Sequence, residues 1–450
     1  MYSHIYQNAL FPFYENHLRR RNTLRYLQTL EINQWLSEEE IHEFQWKEFK
    51  KLLQHAYENV SFYRESFKES GLTPDDIKTP DDFRKLPVID RSTINANRDR
   101  MVARNIPKIL TKSTGGSTGE PLHFFYTRDS YEWRNAVRMR GYSWAGFRDG
   151  DRAAYLWGTP VGEVSRRSIL KAKIHHRTQN AKYFNIFDLS PQTMESYLRE
   201  MREYKPEHII SYGLCMYHFA KFISDKGWST FPLKSIILGA EKVHKDQIEV
   251  IESVFNCPVF NTYGCREFML IASQCEHQGG MHINADNLFV EILRDNEPVA
   301  EGEMGEVVVT DLHNYGMPFI RYKNGDLATA GKQSCPCGRG LPLIADVEGR
   351  VTDMITTADG RIITGLFFPH LMKEFEEVEH FQVVQETSDR LLVKIVQRAQ
   401  ISNARLEVMR SEIQKVCGDA MKIEFDIADE IPLTPSGKRR VTISKVPTSL

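Results

Sequence analysis

Between residues 150 and 265 the chain repeats one pattern, a short apolar run closed by a glycine and then a helical stretch. "AAYLWG", "HIISYG", "SIILGAE" and "PVFNTYG" are strand-like. "SPQTMESYLREMREY" and "HKDQIEVIESVF" have the spacing of amphipathic helices. Strands alternating with helices predict a largely parallel sheet. Ligands of such sheets gather at the carboxyl ends of the strands. The "YG", "LGAE" and "NTYGCRE" loops fall there.

Around this centre the pattern changes. Phe49, Leu52, Leu53, Ala56 and Val60 recur at helical spacing, so residues 40–60 predict a core-facing helix. "TPDDFRKLP" carries a Thr-Pro-Asp-Asp start and a proline stop. After residue 280, "NLFVEIL", "GEVVVTDL" and "FIRYKNGDLATA" predict antiparallel strands. "EGRVTDMITTADGRII" reads as two short strands about a turn at Asp359-Gly360. The tail offers strands "HFQVVQET", "RLLVKIVQ" and "MKIEFDIAD" and a helix over 403–417. The expectation is an α/β protein: a large domain over 1–348 with mostly parallel α/β sheets and an antiparallel portion, a hinge at 349–353, and a small mobile α+β domain over 354–450.

Composition excludes several classes. The formal net charge of −2 on 450 residues argues against a general nucleic-acid or membrane-surface role. No stretch is long enough to span a bilayer, and the first residues contain no continuous apolar run of the signal-peptide kind. Seven cysteines, an odd number in a long chain, predict reduced thiols and a cytoplasmic protein.

The loop "KSTGGSTGEP", Lys112–Pro121, is nearly all backbone and hydroxyl. Glycines let backbone amides approach a ligand closely, and successive N–H groups make a concave anion site. The same composition also suits a flexible linker. The P-loop signature is absent, because no lysine follows Gly119.

Order, more than any one motif, is informative. "STGGSTGEP", "LGAE", "NTYGCREF", "RYKNGDLA", "GRVTDMI" and "PLTPSGKRR" follow one another along the chain. This set resembles the AMP-forming adenylating enzymes, the superfamily of acyl-CoA synthetases, adenylation domains and firefly luciferase. It is most similar to the phenylacetate–CoA-ligase branch, including members associated with capsule biosynthesis. The N-terminal "AYENVSFYRESFKESGLTPDDIKTPDDFRKLPVID" is similar to that branch too.

The resemblance implies roles. Ser113, Thr114, Gly115, Gly116, Ser117, Thr118 and Gly119 would grip the phosphates of ATP, Thr118 taking part in catalysis. Tyr263 and Gly264, with Asn261 and Thr262 before them, would lie against adenine, and Gly239, Ala240 and Glu241 would frame its other face. Glu267 would bind Mg²⁺, which takes one or two carboxylates besides phosphate oxygens. Asp326 would accept hydrogen bonds from both ribose hydroxyls, and Arg350 would also reach the ribose. Taken alone, "NGD" reads as a hairpin turn. The family often has an acid or lysine two positions after Arg350; here Thr352 stands there, with Asp353 next, which leaves the pivot residue open. Lys438 would reach the substrate carboxylate and the α-phosphate.

"CEHQGGMH" and "CPCGRG" supply Cys275, His277, His282, Cys335 and Cys337. Three thiolates and one imidazole suit a closed structural Zn²⁺ site. The branch pattern favours His282 over His277. The other cysteines read as buried side chains.

The implied activity is ATP-dependent activation of a small carboxylic acid, followed by transfer to a thiol, with coenzyme A the acceptor the branch implies. An amine, a hydroxyl of a glycan or cofactor, or a carrier protein would serve after the same first step. A non-catalytic protein of the same fold is the third reading, against which Glu267, Asp326, Arg350 and Lys438 are all intact. The aromatics of "YEWRNAVRMRGYSWAGF", "YLWGTPVG" and "YFNIFDL" suit either an apolar acid pocket or core packing. The branch also admits a homodimer.

Overall fold

The structure, a computed structural model, describes residues 2–114, 122–158, 166–187, 189–332, 334–348, 354–363, 365, 367–432 and 440–446. These form two compact units. The first is drawn from residues up to 113, 122–149 and 260–348, the second from 150–259 and 354–446.

In the first unit the predicted N-terminal helix spans Glu38–Asn59. A capping box starts it: Glu40 N–H donates to the Ser37 hydroxyl at 3.2 Å, and Ser37 N–H donates to the Glu40 carboxylate at 2.7 Å. Phe49, Leu52, Leu53, Ala56 and Val60 are all buried. The strands run in the order Glu297–Pro298, Leu288–Arg294, Met304–Asp311, Tyr322–Ala330, Leu343–Glu348, Met281–Ile283, Ala272–Gln274 and Val259–Tyr263. Every neighbouring pair is antiparallel. Leu110–Ser113 and His123–Tyr126 make a separate antiparallel pair. The helix Arg128–Ser143 carries two buried arginines, paired at 2.6 Å: Arg134 with Asp311 and Arg140 with Asp286.

Two local readings change here, each for a backbone reason. "FIRYKNGDLATA" becomes a strand only at Tyr322, because Arg321 takes a left-handed φ of 52°. "NGD" is not a hairpin turn. Asn324, Gly325 and Asp326 lie inside the strand Tyr322–Ala330, where the register against Met304–Asp311 jumps from Glu306↔Leu327 to Val308↔Lys323. Gly325, at φ 86°, sits in this bulge, and a bulge re-aims the side chains beside it.

In the second unit the parallel strands are ordered Ser235–Gly239, His208–Tyr212, Ala153–Trp157 and Ala181–Asn185. The two predicted helices span Pro191–Tyr204 and Lys245–Phe255. The edge strand Ala181–Asn185, which takes in the start of "YFNIFDL", was not expected. Among the C-terminal residues, Ile355–Thr356 pairs with Ile362–Ile363 about Gly360 as predicted. A four-stranded mixed sheet follows, ordered Lys422–Ile427, Arg390–Gln397, Val378–Thr387 and Thr442–Ser444, with the helix Asn403–Cys417. Phe187 and Phe367 meet edge to face at 5.5 Å within one core that draws on both parts of this unit. No described helix is long and apolar enough to cross a membrane.

Candidate nucleotide and metal sites

The strand Val259–Tyr263 ends in a tight loop. Ile271 N–H donates to the Tyr263 carbonyl and Met269 N–H to the Cys265 carbonyl, both at 2.8 Å. A Cβ on Gly264 would lie 1.8 Å from the Met269 carbonyl oxygen. Glycine is therefore required at 264 by the loop's own backbone, a reason separate from any approach of adenine.

The bulge at 324–326 meets the end of this strand. The Tyr263 hydroxyl donates to Asp326 Oδ2 at 3.0 Å, and the Asn324 amide donates to the Tyr263 hydroxyl at 2.7 Å and to Asp326 Oδ2 at 3.0 Å. Asp326 N–H donates back to Asn324 Oδ1 at 3.0 Å. All three side chains are buried. Burial, and next the Asp326 charge, push the Tyr263 phenol well above its usual range, so it stays a donor. The triangle fixes the plane of the tyrosine ring and the direction of the carboxylate together. Asn324 was missed by sequence reasoning; its signal is its place two residues before the carboxylate, in a bulge that only the register reveals.

Glu267 is buried in the loop after Gly264. The Tyr322 hydroxyl donates to its Oε1 at 3.3 Å, and Arg91 lies 3.6 Å from the same oxygen. One carboxylate oxygen of Glu267 is thus oriented by protein groups. Two cations near it were also missed. Lys112, half-buried at the strand residue before Ser113, feels Arg134, Arg266 and Glu267. Burial first, then those arginines, hold its ammonium down at about 8. Arg266 Nη1 is shielded from solvent with no hydrogen-bond partner.

The remaining sequence-predicted residues are scattered. Ser113 ends its strand half-buried, and Thr114 is buried. Asn261 N–H donates to the Gln274 side chain at 2.7 Å, and Thr262 pairs with Ser273. In the second unit Ala240 takes a left-handed φ of 69° after Gly239, and the Glu241 carboxylate accepts from Leu214 N–H at 3.1 Å, capping the helix Gly213–Asp225. Gly115, Gly116, Ser117, Thr118, Gly119, Arg350, Lys438 and the hinge 349–353 lie outside the described residues. Several aromatics of "YEWRNAVRMRGYSWAGF" are packing: Trp133 stacks on His313 at 3.9 Å, and Trp144 meets His282 edge-on at 5.6 Å.

Cys275, His282, Cys335 and Cys337 converge, with all four ligand atoms within 4.8 Å of one another. Cys275 and Cys335 sulfurs are 3.7 Å apart, and Cys337 Sγ lies 3.3 Å from His282 Nε2. Tetrahedral bonds of about 2.3 Å to sulfur and about 2.0 Å to nitrogen put ligands roughly 3.5–3.8 Å apart, so the group fits a zinc ion. His282 Nδ1 meets the Leu341 carbonyl at 3.0 Å, which leaves Nε2 to the metal. Arg339 N–H donates to Cys337 Sγ at 3.4 Å. His277 is not in the group.

The fold is that of the AMP-forming adenylating enzymes, and the chain is a homologue of phenylacetate–coenzyme A ligases and of CapK. Residues 355–445 match the CapK C-terminal domain. Protein CapK of Staphylococcus aureus is 23% identical over 442 residues, 95% of this chain and 94% of that one. The phenylacetate–coenzyme A ligase of Escherichia coli K12 is 27% identical over 359 residues, 76% of this chain and 78% of that one. Among solved structures, 2-hydroxyisobutyryl-CoA ligase in complex with 2-HIB-AMP and CoA superposes with a TM-score of 0.62 at 21% identity, covering 92% of this chain and 91% of that one.

Proposed function

We propose that this protein activates a small carboxylic acid with ATP and passes the acyl group to the thiol of coenzyme A. The observation that carries the reading is the buried Tyr263–Asn324–Asp326 triangle with Glu267 in the adjoining loop. Three residues named from their motifs, Tyr263, Asp326 and Glu267, are held by hydrogen bonds here, and Asn324 joins two of them.

In the first half-reaction a carboxylate oxygen of the acid attacks the α-phosphorus of ATP. The bond to the bridging oxygen breaks, and pyrophosphate leaves. Asp326 accepts from the vicinal ribose hydroxyls, two carboxylate oxygens suiting a diol. The Tyr263 ring stacks on adenine. Lys438 neutralises charge developing between the acid and the α-phosphate, and Arg350 reaches the ribose. The hinge at 349–353 lets 354–450 move between half-reactions. Glu267 would hold Mg²⁺, which supplies charge neutralisation on the phosphates. In the second half-reaction the sulfur of the thiol attacks the acyl carbon, AMP leaves with its oxygen, and the thiol proton passes to solvent. Cys275, His282, Cys335 and Cys337 hold a structural Zn²⁺.

A second reading keeps the first half-reaction and changes the acceptor. The Tyr263–Asn324–Asp326 triangle serves the first half-reaction under either reading.

ATP–pyrophosphate exchange across a panel of carboxylic acids, with Mg²⁺ and no acceptor, tests the shared step. Exchange with one acid class supports adenylation and identifies the substrate; no exchange and no ATP binding abandons the reading. Adding coenzyme A then separates the acceptors. Lys438→Ala should cut adenylate formation by about 10²-fold or more while sparing transfer from a supplied adenylate. Equal loss of both half-reactions would remove Lys438 from its role.

A further inference from the structure

We propose that Lys112 and Arg266 form a binding subsite for a polyphosphate, the chain of ATP and the pyrophosphate it releases. The inference rests on the adenylation reading and adds two residues to it.

Two of the cations gathered near Glu267 have no ion-pair partner among the described residues. Arg134 is answered by Asp311 at 2.6 Å, and Arg91 by Glu267 at 3.6 Å. Lys112 and Arg266 remain. Among the described residues neither makes an ion pair, and Glu267, the carboxylate felt at the Lys112 ammonium, is already shared with Arg91. Arg266 Nη1 is closed off from solvent with no hydrogen-bond partner. An unmet charged donor of this kind is costly, and such a group persists where a ligand completes it.

Two uncompensated cations call for a ligand with at least two negative charges. A monocarboxylate would leave one unmet. A diphosphate or triphosphate answers both and offers several oxygens to the guanidinium fork. Position agrees with charge. Arg266 directly precedes Glu267, and Lys112 directly precedes Ser113, the first residue of the glycine-rich loop. That loop has Glu120-Pro121 where a P-loop has its lysine. Lys112 brings the missing positive charge from the opposite end of the same loop.

The test is calorimetric titration of the full chain with inorganic pyrophosphate, and separately with adenosine, for wild type, Lys112→Met, Arg266→Met and Lys112→Arg. Each neutral variant should weaken pyrophosphate binding about tenfold or more, the equivalent of one charge-assisted hydrogen bond. Lys112→Arg should stay within about threefold, because it keeps the charge. Adenosine affinity should not change, which also shows that each variant is folded. Pyrophosphate affinity equal in wild type and both neutral variants overturns the subsite, as does wild type that binds no pyrophosphate. The adenylation reading fails separately. Pyrophosphate binding that depends on both residues, with no exchange for any acid, keeps the subsite and rejects adenylation. Exchange whose pyrophosphate KM is the same in all four proteins keeps adenylation and rejects the subsite.

Discussion

Two sites in the first unit are built from the same two stretches of chain and finished by different means. Tyr263 and Asp326 meet across 63 residues of sequence, Cys275 and Cys335 across 60. In each, a side chain from the 261–283 region meets one from the 322–344 region. The Tyr263–Asn324–Asp326 corner closes on itself: the Tyr263 hydroxyl both donates and accepts, and Asn324 holds its two neighbours. The cysteine–histidine group does not close. Its sulfurs and ring nitrogen stand at separations a central cation reconciles. A hydrogen-bonded site is organised before its ligand arrives, whereas a thiolate site owes its organisation to the ion it binds.

The largest expected effect comes from the metal side. Protein purified without added zinc should contain about one zinc per chain. Stripping it, or Cys337→Ser, should lower unfolding free energy by about 3 kcal/mol or more, read by chemical denaturation. A metal-free chain of unchanged stability would erase the contrast.

Asp326→Ala should weaken ATP binding by about 10–100-fold, the loss of one or two hydrogen bonds to a charged group. Titration with ATP checks it, and unchanged affinity would take Asp326 out of the ribose site. Tyr263→Phe keeps the ring and removes the bridge to Asp326. It should cost less, roughly 3–10-fold in ATP affinity, and should leave zinc content untouched. A loss of zinc in that variant would mean the two sites are one cooperative unit.

A separate effect lies in the pH dependence of stability. Burial, then Arg134 and Arg266, lower the Lys112 ammonium from 10.5 to about 8 in the folded chain. Between those values the unfolded chain binds more protons, so stability rises with pH there; below about 8 both states are protonated and the penalty is complete. Denaturation at pH 8 and pH 10 should show the rise in wild type and its loss in Lys112→Met.

Much of this was legible before the structure. Helix 40–60 declared itself by period and the turn at Asp359-Gly360 by its residues, while the resemblance, through its histidine after Gly-Gly-x, pointed to His282, which does join the three cysteines. What was not legible depended on register or on long-range charge. "NGD" has the composition of a turn, and only strand pairing shows it as a bulge. Arg321 gives no sign in sequence that its backbone is left-handed. The need for glycine at 264 comes from the Met269 carbonyl, which a Cβ there would strike, and nothing in the sequence marks that approach. Lys112 and Arg266 are ordinary polar residues until the fold gathers the cations and leaves two unanswered. The aromatics of Trp133 and Trp144 drew attention by size and proved to be packing.

The division of the chain has a consequence for its birth. The first unit is interrupted: its segments up to residue 149 emerge from the ribosome well before 260–348. At about 5–20 residues per second, those roughly 200 residues take some 10–40 s to be made. Through that interval the apolar stripe of the helix Glu38–Asn59 lacks the strands of 281–330, and the cysteine–histidine group lacks Cys335 and Cys337. The nascent chain therefore carries an unfinished core behind a growing one. Chaperone supply and translation speed across 150–259 should govern how much of this protein reaches its folded state.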